Sequence, residues 1–397
     1  MKYSKREYLW LIASFICTFG DVFTTTAIPI LTYKITNSAR FAILVFALDV
    51  LPEVVLSPFI GDFIDKHSKK IVLMISCVFS SIILMILPIF NDAWVYLFGN
   101  SILSVSNIFY SLTVRTALPS IAEENTDFSK LNSVITFALK LARVAGASIA
   151  TLGVLYIGTS KLLWIDASTF IFSALIIIFI RFKHETIDYM DVSENNSIGF
   201  GTVFDFFKED KYFGECTCIY ATIFAVETAL NSLAVVYITG ELNLGDAHYG
   251  LYQNIQLVGI CAAQLLLAHI VIARKEKKIM YWGMFLINVG VICIVLLKAP
   301  FLVIVIGIMH PFVEMSWYSL FYNNVKNEIM GKTLSVCTVV FDIIELITIG
   351  VLYIISDIFL PSKILTMYAI FTLTILFLIK IVFDKFNNTK EQRRTLD

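Results

Sequence analysis

The chain is divided almost end to end into long apolar stretches, and this feature restricts its fold more than any other. Residues 39–60 and 71–90 read ARFAILVFALDVLPEVVLSPFI and IVLMISCVFSSIILMILPIF, with GDFIDKHSKK between them. A helix needs about 20 mostly apolar residues to cross about 30 Å of hydrocarbon. Twelve segments meet that need, at 8–32, 39–60, 71–90, 94–118, 131–157, 162–181, 214–239, 249–273, 279–298, 301–322, 333–356 and 362–383. Lipid offers no partner for backbone N–H and C=O groups, so each segment must close its hydrogen bonds internally as a helix. The expected fold class is an all-α membrane protein with twelve transmembrane helices. Composition agrees, with 58% apolar and 15% charged residues, against about 25% charged in soluble domains.

Basic residues set the direction. With both termini placed in the cytoplasm, 21 Lys and Arg fall on the inner side and 5 on the outer side, with 4 inside or at the ends of spans. Cytoplasmic loops carry such an excess, so GDFIDKHSKK is a short inner loop. The longest break follows the sixth span, and its second part, GTVFDFFKEDKYF at 201–213, is amphipathic and suits the inner membrane surface. The expected organisation is an N-terminal six-helix bundle over 1–181, a cytoplasmic linker over 182–213 and a C-terminal six-helix bundle over 214–397. The halves echo each other. GVLYI stands at 153–157 and 350–354, KKI at 69–71 and 277–279, and Asp21 and Glu227 sit midway along the first and seventh spans. Two pseudo-symmetric bundles follow from such a duplication.

An acid at the centre of a membrane helix costs about 3 kcal/mol to insert. The spans nonetheless hold Asp21, Asp49, Glu53, Glu227, Glu314, Asp342 and Glu345, with Lys140 and Arg143 in the fifth. The third, sixth, ninth and twelfth spans have no mid-helix charge and are free to face lipid. Asp49 and Glu53 are i,i+4, while Asp342 and Glu345, like Lys140 and Arg143, are i,i+3, so each pair shares a helix face. His310-Pro311, one turn before Glu314, marks a bent helix with a titratable pair. Ion pairing between helices and a polar path for protons or substrate both account for these charges. His269, near an inner helix end, reads as interfacial. The seven cysteines, Cys17, Cys77, Cys216, Cys218, Cys261, Cys293 and Cys337, lack metal-site spacing and read as small apolar side chains. The basic N-terminus runs into an apolar segment without a small-residue cleavage site, and reads as a first membrane helix. No phosphate-binding GxxxxGK[ST], HExxH or GxSxG motif occurs, which excludes ATP hydrolysis by the chain and leaves an enzyme reading without residues. A net charge of −1 gives no reason to expect nucleic acid as a partner.

The inner loop resembles the signature G-x-x-x-D-[RK]-x-G-[RK]-[RK] of the major facilitator superfamily. Gly61, Asp65, Lys66, Lys69 and Lys70 match, while Ser68 stands where glycine is usual. In that family the loop latches the two halves in the outward-open state. Arg115 and Pro119 in VRTALPSIAEENTDFSKLNS, WIDASTFIFSALI at 164–176, and TFGDVFTTTAIPILTYKITNSA at 18–39 resemble the drug-efflux branch that contains macrolide exporters. LARVAGASIATLGVLYIG at 141–158 lies where exporters carry a G-P-x-x-G-G-like motif; Gly146 and Gly153 remain, and Ala147 and Ala150 replace proline and glycine. The resemblance implies the major facilitator fold, a cytoplasmic gate motif of Gly61, Asp65, Lys66, Lys69, Lys70 and Arg115, and a cavity lined by the first and seventh helices.

The function expected is secondary active transport by alternating access. It takes the form of proton-coupled efflux of amphipathic small molecules from a monomer in a bacterial plasma membrane. No cofactor is needed, because the proton gradient supplies the energy. The expected proton and substrate residues are Asp21, Glu227, Asp342, Glu345, Asp49, Glu53, Glu314, Lys140 and Arg143. A lipid or lysolipid flippase, a metabolite or siderophore transporter, and a non-transporting sensor or immunity protein are the alternatives. The topology has its own check. A green fluorescent protein fused after Asp397 fluoresces in cells and alkaline phosphatase at the same point is inactive; the opposite pair of results reverses the orientation.

Overall fold

The computed structural model describes residues 4–121, 128–182, 210–267, 275–325 and 327–394, except for some side chains within the helices. Among the described residues there are twelve α-helices and no strand. They are α1 Lys5–Thr36, α2 Ala39–Lys66, α3 Lys69–Ile86, α4 Ala93–Ile121, α5 Phe128–Tyr156 and α6 Thr159–Phe179, followed by α7 Lys211–Val235, α8 Asp246–Leu267, α9 Glu276–Leu296, α10 Val303–Asn324, α11 Asn327–Ile355 and α12 Pro361–Arg394. Eleven of them are long and apolar enough to cross a membrane. The count is over the described residues and leaves out α2, whose side chains are described only in part. The expected all-helical fold is therefore observed.

Local chemistry sets the ends. Ser4 and Glu7 form a reciprocal capping box at the start of α1, with Ser4 N–H donating to Glu7 Oε2 at 2.7 Å and Glu7 N–H to Ser4 Oγ at 3.3 Å. The helix stops at Asn37, whose left-handed backbone (φ 49°) suits a C-terminal cap. Lys70, at the start of α3, donates to the carbonyls of Ile178 and Ile180 at 2.6 and 2.9 Å. It thus satisfies two orphan acceptors at the end of α6 and complements that helix dipole.

The chain separates into two compact units, one of Met1–Val192 with Val235–Asn254 and one of Ser193–Ala234 with Ile255–Asp397. In the first, α1 is the central element and packs on α2, α4, α5 and α6. Gly20 makes the α1–α6 approach possible. A Cβ there would overlap Thr169 Oγ1 and Asp166 Oδ1. Hydroxyls tie other helices together, with Ser81 donating to the Ala167 carbonyl at 2.9 Å and Ser173 to the Ala13 carbonyl at 2.7 Å. After α7 the chain continues as a π-helical segment, Val236–Glu241. The stretch it begins is bound within the first unit by a Lys34–Asp246 ion pair, by Thr26 donating to Gln253 Oε1 at 2.9 Å, and by Asn254 donating to Ser148 Oγ at 2.9 Å.

In the second unit α9 packs against α10 and α12. Thr372 Oγ1 donates to Asn288 Oδ1 at 2.5 Å, and both residues are buried. The third, sixth, ninth and twelfth helices expose large apolar side chains, among them Ile75, Phe172, Trp282 and Phe371. Such a surface suits hydrocarbon.

The Gly20 contact yields a stability prediction. Overpacking a filled core costs about 1–3 kcal/mol, so G20L lowers the thermal midpoint measured by size-exclusion in detergent, and G20A lowers it less. An unchanged midpoint in G20L contradicts the packing described.

Candidate functional site

Polar side chains gather inside the apolar spans at two places, one in each unit. In the first unit the focus is Asp166 on α6, which is fully buried. Thr24 Oγ1 on α1 donates to its Oδ2, and Thr169 Oγ1 donates to its Oδ1 at 3.0 Å. A buried carboxyl group is tolerated when hydrogen-bonded in this way. Asp21 lies one turn before Thr24 and is half-buried. It is close enough to Arg143, Asp49 and Asp166 to interact with them electrostatically. One further turn along α1, Cys17 is buried in the apolar core with Cys77 of α3 and Tyr110 of α4.

The second unit holds a tighter group. His310 on α10 stands between two carboxylates. Its Nδ1 pairs with Glu227 Oε1 of α7, and its Nε2 lies 4.0 Å from Glu314 Oε2 one turn along the same helix. All three side chains are about one-fifth to one-third exposed, at 24% for His310, 17% for Glu227 and 29% for Glu314. The group is therefore neither sealed nor freely solvated. Pro311 follows His310 inside α10 and has no N–H to give the Gly307 carbonyl. Gly307 lies against α8, where a Cβ would strike the Gln256 carbonyl. An aromatic stack adjoins the group. Tyr220 stacks on Trp317 with centroids 4.9 Å apart, and Phe224 on Phe341 at 4.8 Å. Tyr220 is within electrostatic reach of both Glu227 and Glu314.

The remaining expected residues are more dispersed. Asp49 and Glu53 are exposed on α2. Ser104 Oγ donates to the Asp49 backbone carbonyl at 2.6 Å, a tie between α2 and α4. Lys140 is half-buried and Arg143 exposed on α5, and Asp342 and Glu345 are half-buried on α11. Of the gate motif, Lys66 is exposed at the end of α2, and Lys69 and Lys70 open α3, with Lys70 on the α6 terminus as described. The side chains of Gly61, Asp65 and Arg115 lie outside the described residues, as do His269 and residues 201–209 of the amphipathic segment. Among the described residues no group of His, Cys, Asp and Glu is arranged to hold a metal ion.

Two features escape a reading by sequence alone. Asp166 sits in a span expected to lack interior charge, yet it is drawn inward by α1. The run Thr24-Thr25-Thr26 and Thr169, three residues after Asp166, are its only local signals. Glu215 of α7 is also buried, accepting from Lys277 Nζ at 2.7 Å and Tyr281 Oη at 2.8 Å of α9. Nothing near Glu215 in the chain announces partners more than sixty residues away.

Removing a buried acceptor strands its donors at about 1–3 kcal/mol. D166L therefore lowers the thermal midpoint in detergent, while D166N, which keeps an oxygen acceptor, lowers it less. Equal midpoints for D166L and the parent contradict a structural role for this carboxyl group.

The comparisons with known proteins agree with this architecture. The family model described as Major Facilitator Superfamily matches residues 10–349. No curated protein sequence matches this one. Among solved structures, a variant of the nucleoside transporter NupG aligns over 96% of this chain and 100% of its own, with a TM-score of 0.76 and 13% identity. A bacterial homologue of the human lysosomal transporter Spinster, in an inward-facing, unoccupied conformation, aligns over 95% and 96% with a TM-score of 0.69 and 14% identity. A bacterial metal transporter aligns over 98% and 100% with a TM-score of 0.68 and 14% identity. At such identities the likeness concerns the fold. The chain belongs to the Major Facilitator Superfamily and is a multi-pass membrane transporter of small molecules, not an enzyme.

Proposed function

We propose, from its membership of the Major Facilitator Superfamily, that the chain is a proton-coupled exporter of amphipathic small molecules of the macrolide-efflux kind, working by alternating access. The observation that carries this reading is the placement of His310 between Glu227 and Glu314 inside the membrane-spanning helices. A proton shared by an imidazole and two carboxylates has more than one place to reside, and its loss takes the group from a net charge of −1 to −2. Release of that proton to the inside frees a carboxylate for a cationic or polar substrate. Reprotonation from the outside displaces the substrate there. The aromatic side chains beside the group supply an apolar surface for the remainder of an amphipathic molecule. Asp21, with Asp49 and Arg143 in electrostatic reach, is the counterpart in the first unit. Asp342, Glu345, Glu53 and Lys140 tune charge along the path, and the loop motif with Arg115 gates it from the cytoplasm.

On this reading the protein is a monomer in a bacterial plasma membrane, with both termini cytoplasmic, bundles over 1–181 and 214–397, and 182–213 as their linker. The gradient is its energy source and no cofactor takes part. The nucleosides and metal named for the similar structures do not carry over at 13–14% identity.

The test is transport of a radiolabelled macrolide by purified protein in liposomes with an imposed pH gradient. Accumulation follows the gradient, and E227Q and H310Q each lower the initial rate at least about tenfold, a barrier change of about 1.4 kcal/mol. Movement that ignores the gradient, with both variants equal to the parent, overturns the proposal.

A further inference from the structure

The lysine-rich end of α9 carries two clefts that the transport reading does not use. One, of about 780 Å³, lies between α9 and α12 and is bordered by Tyr212 of α7. The other, of about 620 Å³, lies between α9 and α10. Trp282 forms a wall of both, and its side chain is 57% exposed. Lys275 and Lys278 stand at the mouths of both clefts, and Lys277 and Lys380 at the mouth of the larger one. Among the described residues no carboxylate lines either cleft.

Beside the lysines the larger cleft is lined by Phe285, Leu373, Leu376 and Phe377, and the smaller by Leu286, Met309 and Phe312. Lys277 is the one cation already committed. It is paired to the buried Glu215 at 2.7 Å and lies 5.9 Å from the centre of the Tyr212 ring. Glu276 is buried, with Ser319 Oγ donating to it at 3.4 Å. Among the described residues Lys275, Lys278 and Lys380 form no ion pair, and Lys380 is exposed on α12 one turn beyond Phe377. Each cleft thus joins a positive rim to an apolar trough on a surface that faces hydrocarbon.

We propose that this pair of clefts binds an anionic phospholipid from the leaflet in which the Lys275–Lys278 end of α9 lies, with its phosphate among Lys275, Lys278 and Lys380 and its acyl chains on either side of Trp282. Three observations support a lipid over other occupants. The rim is cationic, and among the described residues only Lys277 of its four lysines is ion-paired. The trough is apolar and continuous with the exposed faces of α9 and α12. Basic pockets between membrane helices suit phosphate headgroups, whose attraction for a lysine near the surface changes binding about fivefold. The bound lipid would bridge α9 to α10 and to α12, the second of which Thr372 already joins to Asn288 of α9.

Trp282 provides the readout. The purified full-length protein is reconstituted in phosphatidylcholine vesicles doped with either dibrominated phosphatidylglycerol or dibrominated phosphatidylcholine. The difference in fluorescence between the parent and W282F isolates the Trp282 emission. Brominated phosphatidylglycerol quenches that emission at a several-fold lower mole fraction than brominated phosphatidylcholine. K278Q and K380Q each reduce the preference about fivefold, K275Q/K278Q/K380Q abolishes it, and K298Q, at the opposite end of α9, preserves it. Raising salt weakens the preference in the unmutated protein, so the outcome does not depend on how well a variant folds. Equal quenching by the two lipids, or a preference that survives the triple substitution, overturns the proposal. So does loss of the preference to soluble glycerol phosphate, which would assign the lysines to a free anion. No transport step enters the measurement, so its result stands apart from that of the transport assay.

Discussion

A charge inside hydrocarbon must have a partner or a purpose, and the arrangement of this protein follows from that requirement. Insertion of each acid costs about 3 kcal/mol, and the spans hold many. The structure answers in different ways. Asp166 is fully enclosed and held by the hydroxyls of Thr24 and Thr169. Glu215 is enclosed and held by Lys277 and Tyr281. Glu227 and Glu314 share a histidine and keep some exposure. The first two acids are fixed parts of helix–helix contacts. The third group retains access and more than one site for a proton, which is what a coupling site requires.

The distinction bears on how acids in such a chain are read. Asp21 and Asp166 stand on adjacent helices and within electrostatic reach of one another, yet their surroundings differ. Gly20 brings α6 against α1 and leaves Asp166 no solvent, while Asp21 stays half-buried. A single glycine therefore separates a carboxyl group enclosed between helices from one that keeps partial exposure. Cys17, Cys77 and Tyr110 are buried in the core that α1 shares with α3 and α4.

Much of the fold was legible in the sequence because the solvent of the spans is so restrictive. Twelve apolar segments can become little other than twelve helices, and the observed boundaries lie within a few residues of the segments at most ends. The main departures are α2, which runs on to Lys66, α11, which begins at Asn327, and α12, which runs on to Arg394. All three extend into polar sequence, where helices need no apolar signal once capped or charged at the end. The site was legible in part. Glu227 and Glu314 announce themselves as acids in apolar runs, and His310 as a histidine one turn from Glu314. That the histidine reaches Glu227, 83 residues away, depends on the packing of α7 against α10, which no local pattern encodes. Asp166 lies in a span expected to hold no mid-helix charge, and its enclosure follows from Gly20 on another helix. Lys70 was read as part of the inner-loop motif, and its contacts with the carbonyls at the end of α6 had no signal in the sequence.

The central claim is that the Glu227–His310–Glu314 group exchanges a proton for substrate while Asp166 only holds helices together. The most direct measurement is the pH change on adding a cationic macrolide to weakly buffered, detergent-purified protein containing an indicator dye. The account predicts proton release with the parent and with D166N, and none with E227Q or H310Q. Release that persists undiminished in E227Q and H310Q, or that vanishes only in D166N, would contradict it.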